Sequence, residues 1–415
     1  MNNTKMFLVR YAEIGTKGKN RYVFEDMLCK RIRSRLKPIG DFDVRRDFGR
    51  IYVEALSEYD EDEAVKRLSQ IFGIVGLCPV TVTEGKLTDY NSLKEAALKH
   101  FEDNFTEGLN EFYNRKNVLI SRNGFDFSFK VHTRRINKEF PMNSMEIDME
   151  IGHDLLEAYE SKGLHVDVHD PDIMVEVELR GDKGFVYSRI IPGPGGLPVG
   201  TNGKAMSLLS GGIDSPVATY MVAKRGVEME AVYFNSPPYT SARALEKVKK
   251  LGTIVSQYAG PIKMYVVNFT DVQLAIYDNC PHDQLTIIMK RYFFRMAADL
   301  AKRDDCQAII TGESIGQVSS QTMQSLAVID AAVDVPVFRP VIGMDKQEIV
   351  EYSQKIGTFE TSIEPYEDCC TIFVDKHPVT KPKFEAIEKS EKRLEGIIEP
   401  IYQKALESAE YVILK

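Results

Sequence analysis

The sequence predicts a multidomain chain, α+β at its start and α/β at its end. Three observations carry this. The first 83 residues alternate strand-like and helix-like runs in the order β-α-β-β-α-β, and the stretch from Lys204 onward repeats strand-helix pairs. Between them, "PGPGGLPVGTNGK" (192–204) has a density of Pro and Gly that neither a helix nor a central strand tolerates.

Each element can be justified in turn. "MFLVRYA" (6–12) has strand composition, "KNRYVFEDMLCKRIRSRL" (19–36) has helical spacing, and "FDVRRDFGRIYVEAL" (42–56) reads as two strands around Asp47 to Gly49. A second helix, "DEDEAVKRLSQIFGI" (60–74), and a strand, "GLCPVTVTE" (76–84), complete a ferredoxin-like unit. A second block follows, with a helix near 88–103, an alternating strand "FDFSFKVHTRR" (125–135), a helix at 144–161 and strands at 173–181 and 183–193. Beyond the linker the expected strands are "KAMSLLS", "EAVYFNS", "KMYVVNF", "CQAIITG" and "VPVFRPVIG". Helices are expected at 215–225, 241–258, 284–302, 319–330 and 345–356. That alternation builds a doubly wound parallel sheet, whose ligands bind at the carboxyl ends of the strands. Residues 384–410 read as amphipathic helix packing on the same domain.

Composition narrows the class. The chain is 43% hydrophobic and 27% charged, has no Trp, and offers no apolar run long enough to span a bilayer, so a cytoplasmic location without membrane attachment is expected. Six cysteines without a CxxC argue against a disulfide framework and a structural zinc site. Cys280 with Cys369 and Cys370 gives three ligands for an iron-sulfur cluster, but their spacing matches no ferredoxin run. The seven His show no metal or triad spacing, and His132 reads as a surface residue. Although the net charge is −8, residues 1–50 carry 13 Lys+Arg against 6 Asp+Glu. A second basic cluster, at 115–140, contains Lys130, Arg134, Arg135 and Lys138. Such segregation fits one basic face for nucleic acid, and equally fits ordinary solvated helix surfaces.

The strongest local signal is "SLLSGGIDSPVATYMV" (207–222). Ser210, Gly211 and Gly212 fall at the end of the first strand of the parallel sheet, and a helix begins at about Ser215. Backbone N–H groups of such a turn and helix start bind phosphate. Asp214 would repel that phosphate unless a divalent cation lies between them, which implies Mg²⁺. The alternative is that Asp214 merely caps the helix. A nearby decoy is rejected, because the Walker A window ending at Lys204 starts with Pro198 and is followed by Ala205.

"SGGIDS" resembles the SGGxDS motif of the PP-loop ATP pyrophosphatases. Together with "EIGTKGKNRYVFE" (13–25), "TGESIGQVSSQT" (311–322) and "EDCCTIFVDKHP" (367–378), it makes the whole chain resemble the tRNA 4-sulfurtransferase ThiI family, in a short form lacking the rhodanese domain. The resemblance implies a ferredoxin-like domain at 1–75, a THUMP RNA-binding domain at 76–190 and a PP-loop ATP pyrophosphatase domain at 191–415. It implies formation of 4-thiouridine at position 8 of tRNA, by adenylation of the uridine C4 oxygen and replacement by persulfide sulfur. By the same resemblance Leu208, Leu209, Tyr233, Phe234, Arg291, Gly312 and Gln321 contact ATP, and either Cys369 or Cys370 carries the sulfur. Lys17, Lys19 and Arg21, with the second cluster, are expected on the tRNA phosphates. Without a rhodanese domain, a cysteine desulfurase is expected to pass sulfur straight to Cys369 or Cys370, or to an unknown carrier. A supply of sulfur for the thiamine thiazole and a homodimer are left open. The competing readings are another PP-loop enzyme, such as a tRNA 2-thiolase or an amide-forming synthetase, and a non-catalytic tRNA-binding protein.

Overall fold

A computed structural model describes residues 5–366, 375 and 377–415, apart from residues 48, 115, 117 and 137. The chain divides into two compact units, Met1–Leu197 and Pro198–Lys415.

The first unit opens with β1 (Met6–Arg10), α1 (Arg21–Leu36), β2 (Phe42–Asp47), β3 (Arg50–Ala55), α2 (Glu61–Leu68) and β4 (Gly76–Val82). The chain order is the expected one. There follow α3 (Tyr90–Asn104), β5 (Leu109–Tyr113), β6 (Leu119–Asn123), β7 (Ser128–Arg135), α4 (Ser144–Tyr159), β8 (His165–Val166), β9 (Ile173–Arg180), β10 (Lys183–Tyr187) and β11 (Ile191–Pro192). The strands run β2-β3-β1-β4-β10-β9-β7-β8 in one sheet, because β4 pairs with β1 on one side and β10 on the other. A boundary at residue 76 therefore falls where β4 begins, inside a continuous hydrogen-bonded sheet. Core residues separate the two halves: Leu28, Ile32 and Val44 pack around Phe7 in the first, while Phe101, Phe105, Phe127 and Phe129 centre the second. His100 of α3 is fully buried, bonded to Thr81 Oγ1 at 3.1 Å and Ser188 Oγ at 2.8 Å, and burial pushes it down to about 3. It is a neutral structural pin.

The second unit contains β12 (Lys204–Leu208), α5 (Asp214–Ala223), β13 (Glu228–Asn235), α6 (Ala242–Ala259), β14 (Ile262–Asn268), α7 (Thr270–Asn279), α8 (Leu285–Arg303), β15 (Ala308–Ile310) and α9 (Met323–Asp330). It closes with β16 (Val337–Phe338), α10 (Lys346–Ile356), α11 (Phe359–Ser362), α12 (Phe384–Glu391), α13 (Ile398–Glu407) and β17 (Glu410–Leu414). The sheet order is β16-β15-β12-β13-β14-β17, parallel except for β17. After β14 the chain returns to the far side of β12, so the loops leaving β12 and β15 diverge. This is the topological switch point, where a crevice opens at the carboxyl ends of the strands.

Several elements differ from expectation. The strands β5, β6 and β8 and the helices α7 and α11 were not anticipated. The single amphipathic helix expected at 384–410 is two helices, broken where Gly396 takes φ +74°, and the chain then adds β17 to the sheet edge. The helix expected from 319 starts at Met323, after a 3-10 turn. Among the described residues, no helix is long and apolar enough to cross a membrane.

Candidate active site

The loop between β12 and α5 is locked by its two serines. Ser210 N–H donates to Ser215 Oγ at 2.9 Å, the two hydroxyls lie 3.1 Å apart, and Gly212 N–H donates to Ser210 Oγ at 3.3 Å. The start of α5 has no side-chain cap, so its first N–H groups are left for an anion. Asp214 is thus not a helix cap. Its carboxylate instead accepts from Lys346 Nζ at 2.8 Å and from Gln317 Nε2 at 2.9 Å. Lys346 opens α10, which Asp345 and Glu348 fix with a capping box, and Gln317 lies in the loop after β15. Neither residue was singled out from the sequence. Each is more than a hundred residues from Asp214, and no local pattern announces the contact.

The loop after β15 closes on this turn. A side chain at Gly312 would meet backbone atoms of α5, with Ser215 N at 2.6 Å and Asp214 C at 2.7 Å, so only glycine fits. Next to it, buried Glu313 accepts from Lys290 Nζ at 2.8 Å, Arg339 Nε at 2.9 Å and Thr311 Oγ1 at 3.1 Å. Burial pushes the Glu313 carboxyl up, but the two cations outweigh it and hold the group below its ordinary value. Farther along the loop Gly316 N–H donates to the carbonyl of Gln321 at 2.9 Å, and Gln321 Oε1 is buried without a hydrogen-bond partner among the described residues. An acceptor held in this way suits a ligand donor.

Arg291, expected at ATP, is held by partners within the second unit. It is 3% exposed, paired with Glu391 through Nε at 2.9 Å, and bonded to the carbonyl of Val328. The preceding residue, Lys290, is the one that reaches the loop after β15. Tyr233 and Phe234 are buried in β13, where Phe234 stacks on Phe293 at 4.4 Å between centroids. Leu209 N–H is tied to the carbonyl of Val232 at 3.0 Å, and Leu208 is half-buried against the core.

Cys369 and Cys370 lie outside the described residues. The flanking chain is anchored at the crevice on both sides: Ser362 Oγ lies 3.5 Å from the carbonyl of Gly212, and Thr322 Oγ1 donates to the carbonyl of Thr380 at 2.6 Å. The remaining four cysteines are buried, and burial raises Cys29 and Cys280 to about 11 and Cys78 and Cys306 to about 12. None of the four supplies a thiolate near neutral pH. Among the described residues no His, Cys, Asp or Glu group could hold a metal ion by itself, and Cys280 is turned to the carbonyl of Ser390.

In the first unit, Lys19 and Arg21 are exposed beside Lys17, whose ammonium stands 5.1 Å from the Phe24 ring. Arg21 Nε and Glu25 are 3.4 Å apart. On β7, Lys130, His132 and Arg134 share one face; Lys130 Nζ donates to the carbonyl of Val168 at 3.1 Å, and His132 pairs with Glu176 at 2.9 Å. Arg134 is exposed, as is Lys138 in the loop beyond. Arg135 points the other way and donates to the carbonyls of Lys138 at 2.8 Å and Phe140 at 3.1 Å. It holds a loop together.

Comparison with known proteins agrees with this architecture. The ThiI ferredoxin-like domain matches residues 6–78, the THUMP domain residues 88–189, and the family described as thiamine biosynthesis protein (ThiI) residues 200–395. Probable tRNA sulfurtransferases of Lachnospira eligens and Agathobacter rectalis are 54% and 52% identical, each over 99% of this chain and 100% and 99% of their own lengths. A crystal structure of a 4-thiouridine synthetase–RNA complex with bound ATP superimposes with a TM-score of 0.86 at 35% identity, covering 100% of both chains. A Pyrococcus horikoshii structure gives 0.62 at 26% identity, over 85% of this chain and 99% of that one. With its domains matched in order from one end to the other, this chain belongs to the ThiI family.

Proposed function

We propose that this chain uses ATP to convert a uridine of tRNA, at position 8, into 4-thiouridine. The observation that carries the reading is the meeting, at the switch point, of the Ser210–Gly212 turn, the uncapped start of α5, Asp214 and Gly312. That is a phosphate site built against backbone, as splitting ATP at its α-phosphorus requires. Full-length relatives that are named sulfurtransferases, and a structural neighbour holding ATP and RNA, support the same reading.

In this scheme the uridine C4 oxygen attacks the α-phosphorus, the N3 proton is lost and pyrophosphate leaves. A carbonyl oxygen that would not depart is now AMP, a good leaving group. Sulfur then bonds to C4 as the C–O bond to AMP breaks, and a thiol cleaves the remaining sulfur–sulfur bond to the carrier cysteine. Cys369 or Cys370 is the carrier, loaded by a cysteine desulfurase. The α5 N–H groups receive the phosphate charge, Lys346 and Gln317 fix Asp214, and Lys290 with Arg339 hold Glu313 and hence the Gly312 loop. The donor set fits Mg²⁺ carried in with ATP, since Asp214 offers a single carboxylate with a lone pair free on each oxygen. Bound there, the ion would offset repulsion between that carboxylate and the phosphates.

The test incubates unmodified tRNA, Mg-ATP, a cysteine desulfurase and cysteine with wild type, Asp214→Ala, or Cys369→Ala with Cys370→Ala. The expected result is AMP and 4-thiouridine from wild type, neither from Asp214→Ala, and AMP alone from the double-cysteine variant. Wild type that binds tRNA yet forms neither product would establish the non-catalytic alternative.

A further inference from the structure

Thiolation at C4 requires the uracil ring to leave its stack, because C4 must reach first a phosphorus and then a sulfur. Proteins hold extruded bases by their faces, against aromatic rings. Two tyrosines of the second unit are placed for this.

Tyr239 stands in the loop that leaves the carboxyl end of β13. That loop is fixed from within: Ser236 N–H donates to Thr240 Oγ1 at 2.9 Å, Thr240 N–H to the carbonyl of Ser236 at 2.9 Å, and Thr240 Oγ1 to Asn235 Oδ1 at 2.6 Å. From outside, Thr270 Oγ1 donates to the carbonyl of Pro237 at 2.8 Å. Yet Tyr239 is 46% exposed. A constrained loop is holding a large aromatic side chain out toward solvent at the edge where ligands of such sheets bind.

Tyr366 approaches the same edge from another direction. Ser362 lies at the Gly212 carbonyl of the phosphate turn, and the chain then follows α6, with Lys247 Nζ on the carbonyl of Glu364 at 2.8 Å and Lys250 on its carboxylate at 3.4 Å. At Tyr366 the partner is Arg243, whose guanidinium lies 5.9 Å from the ring centroid. From Lys247 back to Arg243 is one helical turn toward the start of α6, about 6 Å. That start is capped by Ser241, two residues after Tyr239.

We infer that Tyr239 and Tyr366 form the stacking surface for the extruded uracil of the RNA substrate, with Arg243 beside them for that nucleotide's phosphate. The inference rests on the thiolation reading above.

The experiment measures kcat and KM for 4-thiouridine formation, tRNA affinity by filter binding, and melting temperature, for wild type, Tyr239→Ala, Tyr239→Phe, Tyr366→Ala and Tyr366→Phe. Each alanine variant is expected to lower kcat by about 10- to 100-fold, the range that loss of one base-stacking ring gives, while phenylalanine restores it. tRNA affinity should stay within about twofold, because phosphate contacts elsewhere dominate it. Alanine variants with wild-type kcat overturn the inference, as do phenylalanine variants that fall with them, or an affinity loss that matches the loss of rate. A wild-type protein that forms no 4-thiouridine overturns the functional reading itself, and this inference with it.

Discussion

Replacing Gly312 by alanine tests whether the phosphate turn is built against the loop after β15. The new Cβ would stand 2.6 Å from Ser215 N, 2.7 Å from Asp214 C and 2.8 Å from Ser215 Cα. All three are main-chain atoms of the first turn of α5, so no side-chain rotation relieves the overlap. Ordinary carbon contact needs about 3.5 Å, and the two backbones must therefore separate by about 1 Å. β15 cannot easily yield, being paired to β12 and β16 on its two sides, with Glu313 tied to Lys290 and Arg339. The displacement falls on Ser210–Asp214. Overpacking of this kind costs about 1–3 kcal/mol of stability, and moving catalytic groups by about 1 Å costs on the order of 100-fold in rate. The assay follows AMP release and ATP affinity, with melting temperature measured alongside. Gly343, which has nothing within 4 Å of a built Cβ, supplies the neutral control as Gly343→Ala. Gly312→Ala with wild-type ATP affinity and rate would refute the reasoning.

A pH prediction comes from the opposite end of the sheet. Burial, then a hydrogen bond shared with Asp304, pushes Glu230 from its ordinary 4.5 up to about 7. Its contribution to stability is thus complete below pH 4.5 and fades as pH rises through 7. Glu230→Gln, neutral throughout, is expected to flatten the melting temperature across that window; a difference from wild type that does not vary with pH would contradict this. The thiols give a second prediction. Brief treatment of the native chain with iodoacetamide at neutral pH, read by mass spectrometry, should leave Cys29, Cys78, Cys280 and Cys306 unlabelled until the chain is denatured. Labelling of any of the four in the native chain would show that burial does not silence them.

The βα alternation and the Ser210–Gly212 turn were legible because both are local: a strand, a turn and a helix start announce themselves within a dozen residues. α7 and β17 were not. β17 has only five residues, and what makes it a strand is the edge of β14, about 150 residues earlier in the chain. The site divides in the same way. Asp214 could be read, whereas Lys346 and Gln317, which set its geometry, meet it only through the fold.

The sharpest case is the pair Lys290 and Arg291. Consecutive residues on a helix point about 100° apart, so the two side chains leave α8 in different directions. Sequence offers no reason to expect Lys290 instead of Arg291 on the Glu313 carboxylate, and Arg, with its planar fork, looks the better choice. What decides is Glu391 on α12, which forms two hydrogen bonds to Arg291 and draws it into the core. Lys290 is thereby turned toward Glu313. Arg135 is likewise held within the fold, its Nη2 donating to the carbonyls of Lys138 and Phe140. In both cases the five-donor geometry that makes arginine attractive as a ligand residue also makes it the better internal cross-link.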